Sequence, residues 1–189
     1  MDELIKRWIE ASAADDVASS FFCGNIGVVY LGVKPAEIIH VSKEKFQRCI
    51  LLRHYLEFRF LEKTQEKYKL FIFNRSRLEE TLKKRTIHNH LKKLGYDEVY
   101  DLDTYVLTLV RKLQSKGAFP HEIGFFLGYP VKDVLSFMGL IDLPLGKTMG
   151  WRMYGDTRAS EELYYQVRKA KTEIINYAKQ AQNRTYLCQ

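Results

Sequence analysis

Residues 119–138 read FPHEIGFFLGYPVKDVLSFM, and this stretch predicts a tight pair of helices. Pro120 suits the first turn of a helix, where no backbone N–H is needed. Gly128 suits the left-handed conformation that ends a helix, and Pro130 can then begin a second one. Apolar residues recur at helical spacing on both sides of this break. The sequence therefore predicts a helical hairpin at about 120–138.

The hairpin also has the spacing of a helix-turn-helix DNA reader. In that motif the second helix carries polar side chains to the base edges. Here the second helix offers only Lys132, Asp133 and Ser136 as polar groups, and phosphates would repel the acid. A packed structural hairpin is therefore favoured, and DNA reading is kept as an alternative.

Length and composition predict one globular domain that spans residues 1–189. The 46% hydrophobic and 13% aromatic content is typical of a folded chain. No apolar stretch is long enough to cross a membrane, and the first residues lack the order of a signal peptide. We therefore expect a cytoplasmic protein with no membrane partner. Cys23, Cys49 and Cys188 form no C-x-x-C pair, so we expect reduced thiols and no metal site.

The pattern along the chain predicts an α+β fold, with a small sheet of three to four strands surrounded by six to eight helices. The expected strands are 25–33, 37–41, 68–73 and 151–154. Helices are expected from a cap at Ser42 to about residue 60, over 78–93 behind a Ser76–Glu79 capping box, and over 160–181. Residues 140–150 are expected to form a loop. The 160–181 helix could dock on a partner protein.

The positive charge is unevenly distributed. The chain carries a net charge of +7, and residues 75–93 contain seven Lys/Arg against Glu79 and Glu80. Such a band can attract phosphates or nucleic acid, although a solvated helix face is the commoner explanation.

Six residues are candidates for a functional site. Cys23 and His121 are the one thiol–base pairing worth testing for nucleophilic catalysis, and Glu122 adds a carboxylate beside the histidine. Lys34 follows a predicted strand, and Arg75 lies between a strand and a helix start, where anions bind. Asp156 could form the other wall of the pocket, close to an aromatic strand.

Three segments resemble a known family. They are Phe119–Gly124 with Phe126–Pro130, then Gly32–Ala36 upstream, and Trp151–Asp156 downstream. Together they resemble the DUF3793 family of uncharacterised bacterial proteins, found mainly in Firmicutes. The resemblance brings no known activity with it, and the cofactor stays unknown. Many members place a Cys, a Pro and a Thr close before the Lys-Pro, whereas here Cys23 stands further away and no Pro-Thr follows it.

Three functional hypotheses follow, and the sequence does not decide whether the protein is an enzyme. The first is a domain that binds, and could act on, a small anionic metabolite or cofactor at the six candidate residues. The second is a nucleic-acid-binding protein that uses the basic helices and the hairpin. The third is a non-catalytic module for protein interaction. The cofactor and the oligomeric state stay open.

Overall fold

The computed structural model describes residues 1–13 and 17–187, so Cys188 lies outside the described residues. These residues form nine helices and two small antiparallel sheets, which confirms the α+β class. The helices are α1 (Glu3–Ala13), α2 (Val17–Tyr30), α3 (Lys43–Ile50), α4 (Arg75–Leu82), α5 (Arg85–Lys93), α6 (Leu102–Gln114), α7 (Ile123–Phe126), α8 (Val131–Phe137) and α9 (Arg158–Leu187). The strands are β1 (Ala36–Ser42), β2 (Glu57–Lys63), β3 (Lys67–Phe73), β4 (Leu145–Met149) and β5 (Trp151–Tyr154).

The larger sheet separates two hydrophobic cores. Its strand order is β1-β3-β2, and both pairings are antiparallel. In the central strand, Leu70 and Ile72 enter the core built with α1, α2, α3 and α9. Phe71 and Phe73 enter the other core, built with helices α4 to α8. Because successive side chains of a strand point to opposite faces, a strand buried on both sides has the nearly continuous apolar run seen here.

The strand predicted over 25–33 is wrong, because most of these residues belong to α2. A short apolar run cannot be assigned to helix or strand from its pattern alone. Gly24 and Gly27 lie three residues apart, on the side of α2 that meets α9. A Cβ at Gly24 would lie 2.8 Å from the Ile175 side chain, and one at Gly27 would lie 2.6 Å from that of Ile174. The two glycines therefore permit the close approach of the helices.

The end of α2 brings Lys34 into the fold. Gly32 has a φ of +67°, and the Val33 amide donates to the Val28 carbonyl at 3.0 Å, as in a Schellman cap. The chain then reverses, and β1 begins two residues after Lys34. Lys34 therefore follows a helix, although the sequence predicted a strand before it.

The long helix expected from Ser42 to about residue 60 is also wrong. Ser42 does cap α3, since its hydroxyl accepts from the Lys45 amide at 3.2 Å. That helix ends at Ile50, and the chain then forms β2. Phe58 and Phe60 alternate with polar residues and pack on the ring of Phe46, which is typical of a strand with one covered face.

The helix expected over 78–93 is two helices, α4 and α5. Its start also differs, because the Asn74 side chain accepts from the Arg77 amide at 3.2 Å and caps α4. The Ser76–Glu79 capping box is therefore absent.

The predicted hairpin is confirmed as α7 and α8. Gly128 between them has a φ of +81°, the left-handed conformation that its sequence context predicted. A Cβ at Gly124 would lie 2.7 Å from Val134 of α8, so the missing side chain lets the two helices pack. Residues 140–150 are not only a loop, because β4 and β5 pair around Gly150.

Candidate functional site

Three separate segments meet at one place on the molecular surface. They are the Lys34–Pro35 corner after α2, the turn at Gly128–Tyr129, and the start of β5 at Trp151. A Cβ at Gly128 would lie 2.6 Å from Pro35, so only glycine allows this approach. The rings of Tyr129 and Trp151 stack with centroids 4.7 Å apart. All three segments carried the family resemblance, and the fold brings them together.

A basic cleft of about 260 Å³ opens at this junction. We use this name for the cavity lined by Val33, Lys34, Pro35, Leu127, Gly128, Tyr129, Gly150, Trp151, Leu163, Tyr164, Val167, Arg168 and Lys171. The face of α9 supplies two of its three cations, Arg168 and Lys171. Within the described residues no acidic side chain lines the cleft.

Lys34 is the most buried cation of the cleft, with a relative exposure of 7%. Its ammonium donates to Glu37 Oε2 at 2.8 Å and lies 5.6 Å from the centre of the Tyr129 ring. Glu37 Oε1 also accepts from the Ile38 amide at 3.1 Å, which fixes the carboxylate. Lys34 is thus held in one position at the inner end of the cleft.

The other two cations have few partners. The Lys171 ammonium makes no hydrogen bond within the described part of the chain, and the Arg168 guanidinium makes only a long contact of 3.5 Å with the Tyr164 hydroxyl. Burial lowers the pKa of Lys171, Glu37 partly restores it, and Lys34 lowers it further. The Glu37 carboxylate is bonded to Lys34, and Lys171 forms no ion pair with a described residue, so the cleft has an excess of positive charge.

The stacked pair of Tyr129 and Trp151 forms an uncharged aromatic wall of the basic cleft. Burial, together with the nearby Glu37, raises the pKa of Tyr129 to about 12, so its phenol is neutral at physiological pH. Its hydroxyl makes no hydrogen bond to any described residue. It could therefore donate to a ligand.

A second cavity shares part of this wall. It has a volume of about 530 Å³, and Leu127, Tyr129, Gly150 and Trp151 line both spaces. We call it the apolar cavity; its remaining lining consists of Ile38, Phe119, His121, Ile123, Gly124, Asp133, Val134, Phe137, Thr148 and Arg152.

Asp133 holds the structure around both cavities, and sequence reasoning missed this role. Its side chain is almost fully buried, and it accepts from the Lys132 ammonium at 2.6 Å, the Trp151 indole at 2.9 Å, the Tyr154 amide at 2.9 Å and the Ser160 hydroxyl at 2.7 Å. Burial alone would raise the pKa of Asp133, but these hydrogen bonds outweigh it and the pKa is lowered. One carboxylate thus ties α8 to β5 and to the start of α9.

Cys23 and His121 do not form a catalytic pair. Cys23 is buried in the core beside α1 and α9, and burial raises its pKa to about 12. His121 lies beyond the sheet, on the rim of the apolar cavity. A protonated, inaccessible thiol is a poor nucleophile, and the His121 ring is not within reach of it. The thiol–base pair suggested by the sequence is therefore not formed.

Glu122 and Arg75 have structural partners. Glu122 is buried and accepts from the Lys112 ammonium at 2.7 Å, which ties the hairpin to α6. Arg75 donates to Glu57 and, at 2.6 Å, to Asp103. Two carboxylates already surround this guanidinium, so a further anion would have to displace one of them.

Asp156 lies outside both cavities. It pairs with Arg158, whose hydrogen bonds lower the pKa of the carboxyl to about 2. Of the six sequence candidates, only Lys34 lines the basic cleft, and only His121 lines the apolar cavity. The structure therefore does not bring the six together as one site.

The hairpin lacks the free polar face of a DNA-reading helix. The Lys132 ammonium is bonded to Asp133 and to the Tyr154 carbonyl, and Asp133 is buried. Likewise, the long helix α9 packs along α2 and α1 of its own chain. Among the described residues we find no group of three metal-ligating side chains, and no helix with the length and apolarity of a membrane span.

One comparison identifies relatives of the chain. A family model described as protein of unknown function (DUF3793) matches residues 23–188, which confirms the resemblance carried by the three segments. No curated protein and no solved structure matches the chain.

Proposed function

The chain belongs to the DUF3793 family, and we propose that it binds a small anionic ligand in the basic cleft. One observation carries the proposal: three cations converge on a cleft whose wall is a stacked aromatic pair. Lys34, Arg168 and Lys171 supply three positive charges, and Glu37 removes one, which leaves a local excess of +2. An anion with two or three negative charges would neutralise this excess.

The cleft also suggests the shape of the ligand. A volume of about 260 Å³ lies just below the range of about 300–1,000 Å³ that is usual for small-molecule sites, so the cleft suits a small metabolite and not a large cofactor. The Tyr129 hydroxyl offers a hydrogen bond, and the aromatic and aliphatic lining can cover an apolar part. We therefore favour a compact phosphate ester or a related di-anion, with its charged group between Lys34 and Lys171.

In the basic cleft, a bound anion and the protonated form of Lys171 would stabilise each other. Lys171 is held partly buried near another ammonium, and both effects lower its pKa. A bound anion would raise that pKa again, because opposite charge favours the protonated amine. Binding should therefore be stronger below the pKa of Lys171 than above it.

Calorimetric titration with inorganic pyrophosphate at low ionic strength tests the proposal. Removing one charged hydrogen-bond donor costs about tenfold or more in affinity, so Lys171→Gln and Arg168→Gln should each weaken binding by at least that factor. Lys169→Gln is the matched control, since it removes one charge from an exposed position of the same helix outside the cleft. Equal losses in all three variants, or no binding by the wild type, would contradict the proposal.

The nucleic-acid alternative predicts a different result. The junction between α4 and α5 exposes Lys83, Lys84 and Arg85, and a duplex bound there would be released steeply by salt. Binding of generic DNA that is insensitive to Lys171→Gln but lost in a triple Gln variant of those three residues would support this alternative. A partner-binding module would show neither response.

We place the protein in the cytoplasm as part of the same proposal. Cys23 and Cys49 are both free thiols buried in the same core, as suits a reducing compartment.

A further inference from the structure

We propose that the apolar cavity is a second binding site, for a carboxylic acid with an apolar body, and that Arg152 holds the carboxylate. The inference does not depend on the basic cleft, because it rests on a different cation and a different space. The two sites share only their common wall.

The cavity has the size and lining of a ligand pocket. Its volume of about 530 Å³ falls within the range of about 300–1,000 Å³ that is usual for small-molecule sites. Aliphatic and aromatic side chains form most of the wall, among them Ile123, Val134 and Phe137. Polar side chains are contributed by His121, Asp133, Thr148 and Arg152. A mostly apolar space with a few polar groups suits an apolar body with one polar end.

Asp133 does not set the charge that a ligand would meet. Each of its two oxygens already accepts two hydrogen bonds, and the Lys132 ammonium lies 2.6 Å away. Its charge is therefore compensated inside the protein.

Arg152 is the one cation in the lining, and its charge is uncompensated within the described residues. Its guanidinium makes no ion pair or hydrogen bond to the described chain and lies 5.6 Å from the centre of the Phe137 ring. Because Arg152 is the cross-strand partner of Thr148, a hydroxyl stands beside it on the same face of the small sheet. A guanidinium with a neighbouring hydroxyl is well suited to a carboxylate.

His121 marks the same rim. Its ring meets the Phe137 ring edge-on at 4.9 Å, and Phe119 lies 5.6 Å from it on another side. Phe137 thus contacts both Arg152 and His121, which places the two nitrogen-bearing groups around one opening. The apolar body would enter between them, and the carboxylate would remain at the rim.

Titration calorimetry on the full chain tests this site with two probes of equal chain length, octanoate and 1-octanol. We expect octanoate to bind, and Arg152→Gln to weaken it about tenfold or more while leaving octanol binding unchanged. Arg152→Lys should retain only part of the octanoate affinity. Lysine keeps the positive charge but lacks the planar guanidinium that binds a carboxylate through two hydrogen bonds. Arg158→Gln is the matched control, an exposed arginine outside the cavity, and it should change nothing.

Several results would overturn the inference. Equal affinity for octanoate and octanol, with no effect of Arg152→Gln, would show a merely apolar space. Loss of octanoate binding in Lys171→Gln, or its displacement by pyrophosphate, would place the acid in the basic cleft. The absence of octanoate binding would remove the site altogether, without affecting the pyrophosphate test of the first proposal.

Discussion

Replacing Asp133 by asparagine should be one of the most damaging conservative changes in this chain. The carboxylate is 2% exposed and accepts four hydrogen bonds from three elements of the fold. In asparagine, one oxygen becomes an amino group that faces two donors. Two hydrogen bonds are lost, and the Lys132 ammonium loses its counter-charge.

The expected cost follows from these losses. Breaking a buried ion pair by removing one partner costs about 3–5 kcal/mol, and buried donors left unpaired cost about 1–3 kcal/mol each. Since the terms overlap, we expect a loss of about 3–5 kcal/mol in the free energy of unfolding. For a chain of this length that corresponds to a fall in Tm of roughly 6–20 °C.

Chemical denaturation in urea, followed by circular dichroism, measures the change directly. Asp156→Asn is the control: it makes the same chemical change at an exposed carboxylate, and asparagine can still accept from the Arg158 amide. The control should unfold at the wild-type urea concentration. A loss below about 1 kcal/mol in Asp133→Asn would refute the idea that this carboxylate fixes the hairpin to β5 and α9.

Acid should reproduce part of the effect. The folded pKa of Asp133 lies below its ordinary value, so the group stabilises the fold above the unfolded pKa of about 4. That contribution is lost as the pH falls through the folded pKa. The stability difference between wild type and Asp133→Asn should therefore shrink in acid.

Three further outcomes follow from the structure. Cys23 should resist alkylation in the native protein and react only after denaturation, because burial raises its pKa to about 12. Mass mapping of the labelled peptide checks this prediction. Rapid labelling of Cys23 in the native protein would contradict it. Gly27→Ala should cost about 1–3 kcal/mol by forcing α2 and α9 apart. Gly117→Ala should be nearly neutral, because its added Cβ would meet only the Ser115 hydroxyl at an ordinary contact distance of 3.5 Å. Equal urea midpoints for the two variants would count against the close helix contact. The pKa of Lys171 is lower in the folded than in the unfolded chain, so the unfolded chain binds more protons as the pH approaches 10, and the free energy of unfolding rises there. Lys171→Met should lose this gain in stability, and Lys169→Met should keep it. Urea denaturation at pH 8 and at pH 10 measures the difference.

Local chemistry made part of the fold predictable. The hairpin, the β3 strand and the Ser42 cap are set by turn residues, short apolar patterns and one hydroxyl, all within a few positions. The strand β2 was missed because it is defined by pairing with β3, and the preceding helical pattern extended into it. The α2 helix was missed because its residues are apolar on all sides, and Gly24 and Gly27 were the available sign that another helix approaches there.

The basic cleft was only partly accessible from sequence. Lys34 was identified from its place beside a rigid proline, although the element before it was assigned wrongly. Arg168 and Lys171 are two of several bases on a long helix, and nothing local distinguishes them. Only the packing of α9 on α2 brings them to Lys34. In the same way, Asp133 becomes a central acceptor only because β5 and the start of α9 fold over α8.

Two-dimensional ¹⁵N–¹H NMR of the full chain can locate bound pyrophosphate directly. If the anion occupies the basic cleft, the titration should shift the amide resonances of Lys34, Tyr129 and Lys171, together with the indole N–H of Trp151. Shifts confined to residues 83–93 would place the anion on the basic helices instead and would rule out the basic cleft as its binding site.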